Sequence, residues 1–475
     1  MADEAMDIDD FQSTSDKFLT WLKSTGATIS SKVQLADLRD RAAGRGVGMS
    51  YLRMQKRMRT CVLIRDVPVA TEDLAEDEEL FSIPRTSILT TETSDLPTAI
   101  SQDLNDPWLS LILAMVYEYL RGTESPFNPY FDVLPENFDT LMFWTDDELQ
   151  HLKGSAVVEK IGKEGADTKF SEQLIPIIAQ HTDIFKTGSR SNHELLALCH
   201  RMGSTIMAYA FDLEKPTSDQ STENVEEWEE DEEEEEEILP KGMIPLADML
   251  NANADSNNAK LFYEDDKVVM KTIKKIKPGE ELFNDFGPLP RADLLRRYGY
   301  VTSNYAKYDV VEISADLIKE RAKAFLQADE NGLYTKWQYA EEQGVLDDAY
   351  DIARAGSEEG QFPEELCVFL NLLVSTKPEF EKMVNKDKLP KAELSSEAKM
   401  LLRNVLVHRY AEYPAEKTAS EPASGRVEMA RQVIDGEKEV IREAIEAVTD
   451  ANTNKKRAAD TLDEEAAAIR TPAKK

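Results

Sequence analysis

Three separated segments carry residue types that could hold a ligand and steer a reaction. Gly44-Arg45-Gly46 lies within AGRGVG at 43–48, and glycines let a backbone approach a ligand closely. Asp248-Met249-Leu250-Asn251 ends an apolar run. An asparagine there can turn the chain and offer both a donor and an acceptor. GEELFNDFG at 279–287 is followed by RADLLRRYGYV at 291–301, which sets Tyr298 and Tyr300 beside a bend at Gly299. Rings at such a bend suit stacking on a flat ligand. Each segment also has an ordinary structural reading: a plain turn, a loop entry, aromatic core packing. Metal chemistry lacks even that support. The five histidines (151, 181, 193, 200, 408) show no ligand pattern, and His193 and His200 are seven residues apart, too far for one ion on a helix. Cys61, Cys199 and Cys367 are far apart and form no CxxC pair, against both a cysteine zinc site and a disulfide framework.

The elements that must position these segments follow from apolar periodicity. Phe18, Trp21 and Leu22 mark an amphipathic first helix. LFSI at 80–83 predicts a strand closed by Pro84, Trp108–Arg121 has helical spacing, SPFNPYFDVLP at 125–135 is a proline-punctuated loop with aromatics, and 192–213 is a second long helix. Residues 261–287 read as short strands, with Lys277-Pro278-Gly279-Glu280 as a turn between two of them. Beyond about residue 310 the pattern is helical, at 313–328, 361–374, 396–410 and 426–448. The order is that of an α+β core interrupted by helices, with a helical module behind it.

Charge narrows the partner. The 475 residues hold 56 Lys+Arg against 91 Asp+Glu, a net of −35. Removing the 11 carboxylates of the run at 226–237 still leaves −24. A charge this negative argues against direct nucleic-acid binding, which needs clustered Lys and Arg on phosphates, and its field favours a basic partner. The run itself reads as a solvated, disordered loop. The acidic start MADEAMDIDD is neither a signal nor a transit peptide, and the apolar run at 108–120 is too short and polar to span a membrane. A reducing compartment, cytosol or nucleus, is expected. Lys455-Lys456-Arg457 and Lys474-Lys475 form two basic clusters in the tail, which suit a loose nuclear signal or an ordinary solvated end.

Taken together, AGRGV, LFSIPRTSIL, SPFNPYFDVLP, FWTDDELQHLKGS, MAYAFDL, IPLADMLN, KKIKPGEELFNDFG and LLRRYGYV resemble, in order and spacing over roughly 15–302, the SET-domain protein lysine methyltransferases. The similarity is to the subgroup with Rubisco-methyltransferase-like architecture, and within it to the fungal ribosomal lysine methyltransferases. It implies a SET-domain β-clip core (16–302) with a helical insert at about 100–215 and an acidic loop at 216–240. It also implies a helical substrate-binding domain at 303–448, between a disordered 1–15 and a disordered 449–475. S-adenosylmethionine is the implied methyl donor, with no metal. The implied substrate is a lysine of a basic protein, ribosomal and of the large subunit; the enzyme is expected to be a monomer of nucleus and cytoplasm. By the resemblance, the backbone of Gly44-Arg45-Gly46-Val47 touches the donor. Asn251 hydrogen-bonds it beside Ala252, Tyr298 packs on it, and Phe127 and Tyr209 line the lysine channel or cofactor rim. Asp248 braces the chain crossing. Catalysis is assigned to Tyr298 and to Phe286, which stands where the family places a tyrosine.

Physical chemistry supports that reaction. The nucleophile must be a neutral amine, although free lysine titrates near 10.4. A narrow apolar channel and a neighbouring sulfonium both disfavour the ammonium. Alignment of nitrogen, methyl and sulfur supplies most of the acceleration. Three departures bear on activity. Phe286 keeps a ring and loses the hydroxyl, which leaves two outcomes: an active enzyme, or a weak or inactive module that still grips a basic protein. Ala252 stands where many relatives have histidine. Residues 48–68, 21 residues with Arg53, Lys56, Arg57, Arg59 and Arg65 against Asp66, separate Gly46-Val47 from Val69-Ala70. They are either a genuine insertion or a product of mis-splicing.

Overall fold

Two strands buried along most of their length form the centre of the main sheet. The computed structural model describes residues 2–36, 67–102, 104–214, 239–326, 330–415, 425–449 and 461–470. In chain order its strands are β1 (Thr28–Ile29), β2 (Val33–Ala36), β3 (Val67–Ala70), β4 (Glu79–Pro84), β5 (Phe211–Asp212), β6 (Lys241–Gly242), β7 (Asn251–Ala252), β8 (Ala259–Tyr263), β9 (Lys267–Thr272), β10 (Phe283–Asn284), β11 (Val310–Ser314) and β12 (Ala349–Ala353). The main sheet is antiparallel in the order β1-β4-β9-β8. β4 and β9 are buried along most of their length, so they carry apolar residues at successive positions. Edge strand β8 alternates buried and exposed residues instead, as a one-sided strand must. Three two-stranded pairs, β2-β3, β5-β6 and the parallel β7-β10, complete this half.

The helices around it are α1 (Ala2–Ser24), α2 (Pro107–Arg121) and α3 (Asn192–Tyr209). Asp106 caps α2 by accepting from the N–H groups of Trp108 and Leu109 at 2.9 and 3.3 Å, with proline at the first turn. Ser191 and Glu194 cap α3 reciprocally. α2 and α3 pack on each other, joining the helical insert to the core. α4 (Arg291–Tyr298) follows the β7–β10 region.

Contacts divide the chain into two compact units. One holds Met1–Phe143, Gly162–Gly287 and Arg297–Tyr300; the other holds Trp144–Ile161, Pro288–Arg296 and Val301–Lys475. The second contains the β11-β12 pair and α5 (Ala315–Leu326), α6 (Glu330–Glu342), α7 (Glu364–Val374), α8 (Lys377–Lys386), α9 (Ser396–Glu412), α10 (Gly425–Val448) and α11 (Leu462–Arg470). No helix among the described residues is long and apolar enough to cross a membrane.

Several sequence expectations are corrected here. Residues 1–15 are not a disordered lead: α1 starts at Ala2, and the sequence places no glycine or proline before Gly26. The 449–475 tail is not wholly disordered. Its Leu462 and Ala466, one helical turn apart, are fully buried against α9, and Tyr410 donates to Asp463 Oδ1 at 2.9 Å. A single boundary at residue 302 also fails, because Trp144–Ile161 joins the second unit. Ser155 Oγ donates to Glu437 Oε1 at 2.6 Å, and Arg426 Nη1 to Glu148 Oε2 at 3.0 Å. The helix expected to run to 213 ends at Tyr209, where the chain enters β5. The acidic run 226–237 lies outside the described residues.

Glu437 is a buried carboxylate of the second unit. Its other oxygen accepts from the Tyr413 hydroxyl at 2.7 Å. Burial pushes its pKa from 4.5 up to about 7, against the pull of its two hydroxyl donors. The folded state therefore holds a proton that the unfolded chain releases near 4.5. The resulting stability is fully present below that value and is lost as pH rises through about 7. Thermal melts of the parent chain are expected to fall from pH 5 to pH 8 relative to Glu437→Gln; parallel profiles would contradict the assignment. Leu462→Ala is expected to cost about 2–5 kcal/mol in chemical denaturation, whereas no change would show that α11 adds nothing to the core.

Candidate active site

A crossing of two short parallel strands organises the site. Asn251 pairs with Phe283 and Ala252 with Asn284. The loop between β7 and β8 wraps the second strand: Asn253 N–H donates to Asn284 O at 3.0 Å, and Asn258 N–H to Phe283 O at 3.1 Å. The Asn258 side chain uses both ends, accepting from Phe283 N–H at 2.8 Å and donating to Glu281 O at 2.9 Å. Glu281 in turn accepts from Asn251 Nδ2 at 2.6 Å. The approach to this crossing is a buried run from Gly242 to Leu250. Within it Leu246 adopts φ +75°, a conformation that costs a bulky residue about 1–3 kcal/mol and persists only where packing holds it.

An aromatic group begins at Phe286, two positions beyond the crossing. Phe286 and Tyr298 stack with centroids 4.3 Å apart and planes 6° from parallel. One face of Tyr298 is thus taken by Phe286, and both rings are half-buried. Tyr300 lies 6.3 Å from Tyr298 at 59°. Gly299, at φ +75°, makes the bend possible: a Cβ there would lie 2.8 Å from Asp139 C and Thr140 N. Only glycine lets the chain turn and press this closely on that segment.

A second aromatic group meets Asp248 through Tyr130. The Asp248 carboxylate, buried, accepts from the Tyr130 hydroxyl. Burial first, then the charge of Asp248 and its hydrogen bond, hold the Tyr130 pKa well above the ordinary phenol value, so Tyr130 stays a neutral donor. Trp21 stacks on Tyr130 at 6.3 Å and 9°, and Phe127 meets Trp21 edge-on at 6.3 Å. Phe127 is fixed from behind, since its N–H donates to Ser125 Oγ at 3.1 Å and that hydroxyl donates to buried Glu118 at 2.6 Å. Tyr209, at the end of α3, lies 6.4 Å from Phe138.

The residues assigned from sequence thus fall into connected groups. Asn251, Ala252, Phe286 and Tyr298 gather at the crossing. Tyr209 reaches them through Phe138 and the 139–140 segment against Gly299. Phe127 belongs to the Trp21–Tyr130 cluster, joined to the crossing through Asp248. The assignments on Gly44, Arg45, Gly46 and Val47, and the 48–68 segment up to Asp66, lie outside the described residues. Sequence reasoning missed Tyr130, Glu281 and Asn258, all of which act on partners distant in sequence. The Asn-Asn pair before β8 and the second glutamate of GEE were the available signals, with nothing local to say what they bind. Among the described residues no three His, Cys, Asp or Glu side chains gather as a metal-binding group, and His200 is paired with Asp167 at 2.5 Å.

Known proteins resemble this chain in sequence and fold. The SET domain family model matches residues 69–287. Ribosomal lysine N-methyltransferase 4 of Saccharomyces cerevisiae is 30% identical over 480 residues, covering 90% of this chain and 90% of that protein. N-lysine methyltransferase SETD6 of Homo sapiens is 27% identical over 387 residues, 78% of this chain and 77% of that one. The solved SET domain of LSMT bound to lysine and AdoHcy superposes with a TM-score of 0.65 at 17% identity, over 95% of this chain and 93% of that one. The fold is therefore the expected α+β SET architecture with a helical C-terminal region, and the chain belongs to the SET-domain protein lysine methyltransferases.

Proposed function

We propose that this chain transfers methyl groups from S-adenosylmethionine to a lysine of a basic ribosomal protein of the large subunit. The observation that carries the reading is the Asn251–Ala252/Phe283–Asn284 crossing with the Phe286–Tyr298 stack beside it. An amide held on a carboxylate, a pair of adjacent backbone edges and an aromatic wall fit a ligand with polar amino-acid and flat aromatic parts. S-adenosylmethionine is such a ligand. When bound, it supplies an electrophilic methyl on a sulfonium. In the proposal Asn251 and the Ala252 backbone bind it, with the Gly44-Arg45-Gly46-Val47 backbone, and Tyr298 packs against it. Phe127 and Tyr209 supply apolar walls that favour the neutral amine, and Phe286 limits how far that amine can stray.

The name of the yeast relative supports a ribosomal substrate, and the net charge of −35 supports a basic partner over nucleic acid. A metal-independent monomer is part of the same proposal. So is residence in the nucleus and cytoplasm, for which Lys455-Lys456-Arg457 and Lys474-Lys475 are the supporting residues. Membrane attachment forms no part of it. A second reading, a weak or inactive SET module that binds a basic protein, is favoured by Phe286, which cannot offer a hydroxyl to the amine.

Incubating the purified chain with methyl-labelled donor and ribosomes decides between them. Label in lysine of a large-subunit protein is expected; donor binding without transfer would establish the second reading. Phe286→Tyr adds one hydrogen-bonding group facing the reacting atoms and is expected to raise turnover about tenfold, the value of about 1.4 kcal/mol. Equal rates would show that the hydroxyl has no part in catalysis.

A further inference from the structure

We propose that Glu281 is the positioning residue that sets the orientation of the Asn251 amide for the methyl donor. The inference rests on the reading above, in which the Asn251 side chain contacts that donor. The two ends of an asparagine amide are alike in shape and opposite in hydrogen-bonding sense. An asparagine that binds a ligand must therefore be held the right way round. A carboxylate only accepts, and Glu281 Oε1 receives Asn251 Nδ2 at 2.6 Å. That bond places the NH₂ group toward Glu281 and turns the carbonyl oxygen the other way. With a charged acceptor it is roughly twice as strong as a neutral amide pairing, so reversal would place two oxygens against each other.

Glu281 is itself held where it can do this. Its backbone oxygen takes the Asn258 Nδ2 hydrogen at 2.9 Å, and Asn258 Oδ1 takes the Phe283 N–H at 2.8 Å. Phe283 is paired with Asn251 across the crossing. The acceptor and the amide it orients are thus fixed to the same short ladder. Glu281 touches neither donor nor lysine in this account; it acts through Asn251.

The test uses the full chain and titrates S-adenosylmethionine by calorimetry, alongside steady-state kinetics and thermal melts. Glu281→Met keeps the bulk and removes the acceptor; Glu281→Gln keeps an acceptor oxygen. Donor affinity is expected to weaken at least about tenfold in Glu281→Met and to recover most of that loss in Glu281→Gln. KM for the donor should rise in step, with KM for the protein substrate unmoved. Unchanged donor affinity in folded Glu281→Met overturns the proposal. Should Glu281→Met fail to fold, a polarity swap decides. Asn251→Asp sets two carboxylates together and loses the donor, whereas Asn251→Asp with Glu281→Gln restores the hydrogen bond and keeps an oxygen turned toward the ligand. Recovery of binding in the double variant supports the proposal, and binding no tighter than Asn251→Asp alone overturns it. A parent chain that binds no S-adenosylmethionine would instead refute the methyltransferase reading.

Discussion

The Asn258 side chain is the interaction on which the site depends. Strands β7 and β10 have two residues each, and a parallel pair that short has little stability of its own. Asn258 compensates by closing hydrogen bonds to both Phe283 and Glu281, while its own N–H reaches Phe283 O. Fully buried Leu282 anchors the same strand in the core. Held this way, the chain from 279 to 287 cannot slide past 251–258. The position of Phe286, and so of the ring stacked on it, follows from that pin.

Buried carboxylates fasten the surrounding elements in a second, recurring way. Glu118 accepts from the hydroxyls of Ser94 and Ser125 and the N–H of Asp95, and pairs with Arg121. Asp248 accepts from Tyr130, and Glu437 from Ser155 and Tyr413. Each joins segments that hydrophobic packing alone would leave free to shift. A buried carboxyl group without partners would be costly, and one with hydroxyl and amide partners becomes a directional tie. Glu118 governs Phe127, and Asp248 governs Tyr130; Glu437 lies in the other unit and serves its integrity.

Charge and aromatic packing act here at different ranges. The excess of acid is a property of the whole sequence, and in the proposed function a basic partner feels it at distances set by screening. The groups assigned to the proposed chemistry are Phe286, Tyr298, Phe127 and Tyr209, and apolar rings around a bound lysine would disfavour its ammonium form. In the proposed function the acidic excess attracts the protonated lysine, and the apolar rings favour its loss of the proton.

Much of the architecture was legible in the sequence because it rests on local signals. Buried strands such as β4 and β9 read as apolar runs. Apolar spacing marked the helices at 108–121 and from 192, and the glycine before Tyr300 marked the bend. Motif order across residues 15–302 identified the family and singled out Asn251, Phe286 and Tyr298, which the structure gathers at the β7–β10 crossing. What the sequence left open involves partners far along the chain. Asn251 and Glu281 are 30 residues apart, Tyr130 and Asp248 are 118, and Ser155 and Glu437 are 282. A hydrogen bond between such residues leaves no periodicity, so composition could not reveal that Trp144–Ile161 joins the second unit. The same holds for Leu462 and Ala466, whose Ala-rich surroundings gave no sign of the buried surface they meet. Residue types and local order determined the family and the chemistry available to it. Only the tertiary structure decided which amide faces which carboxylate, because that depends on where distant backbone segments come to rest.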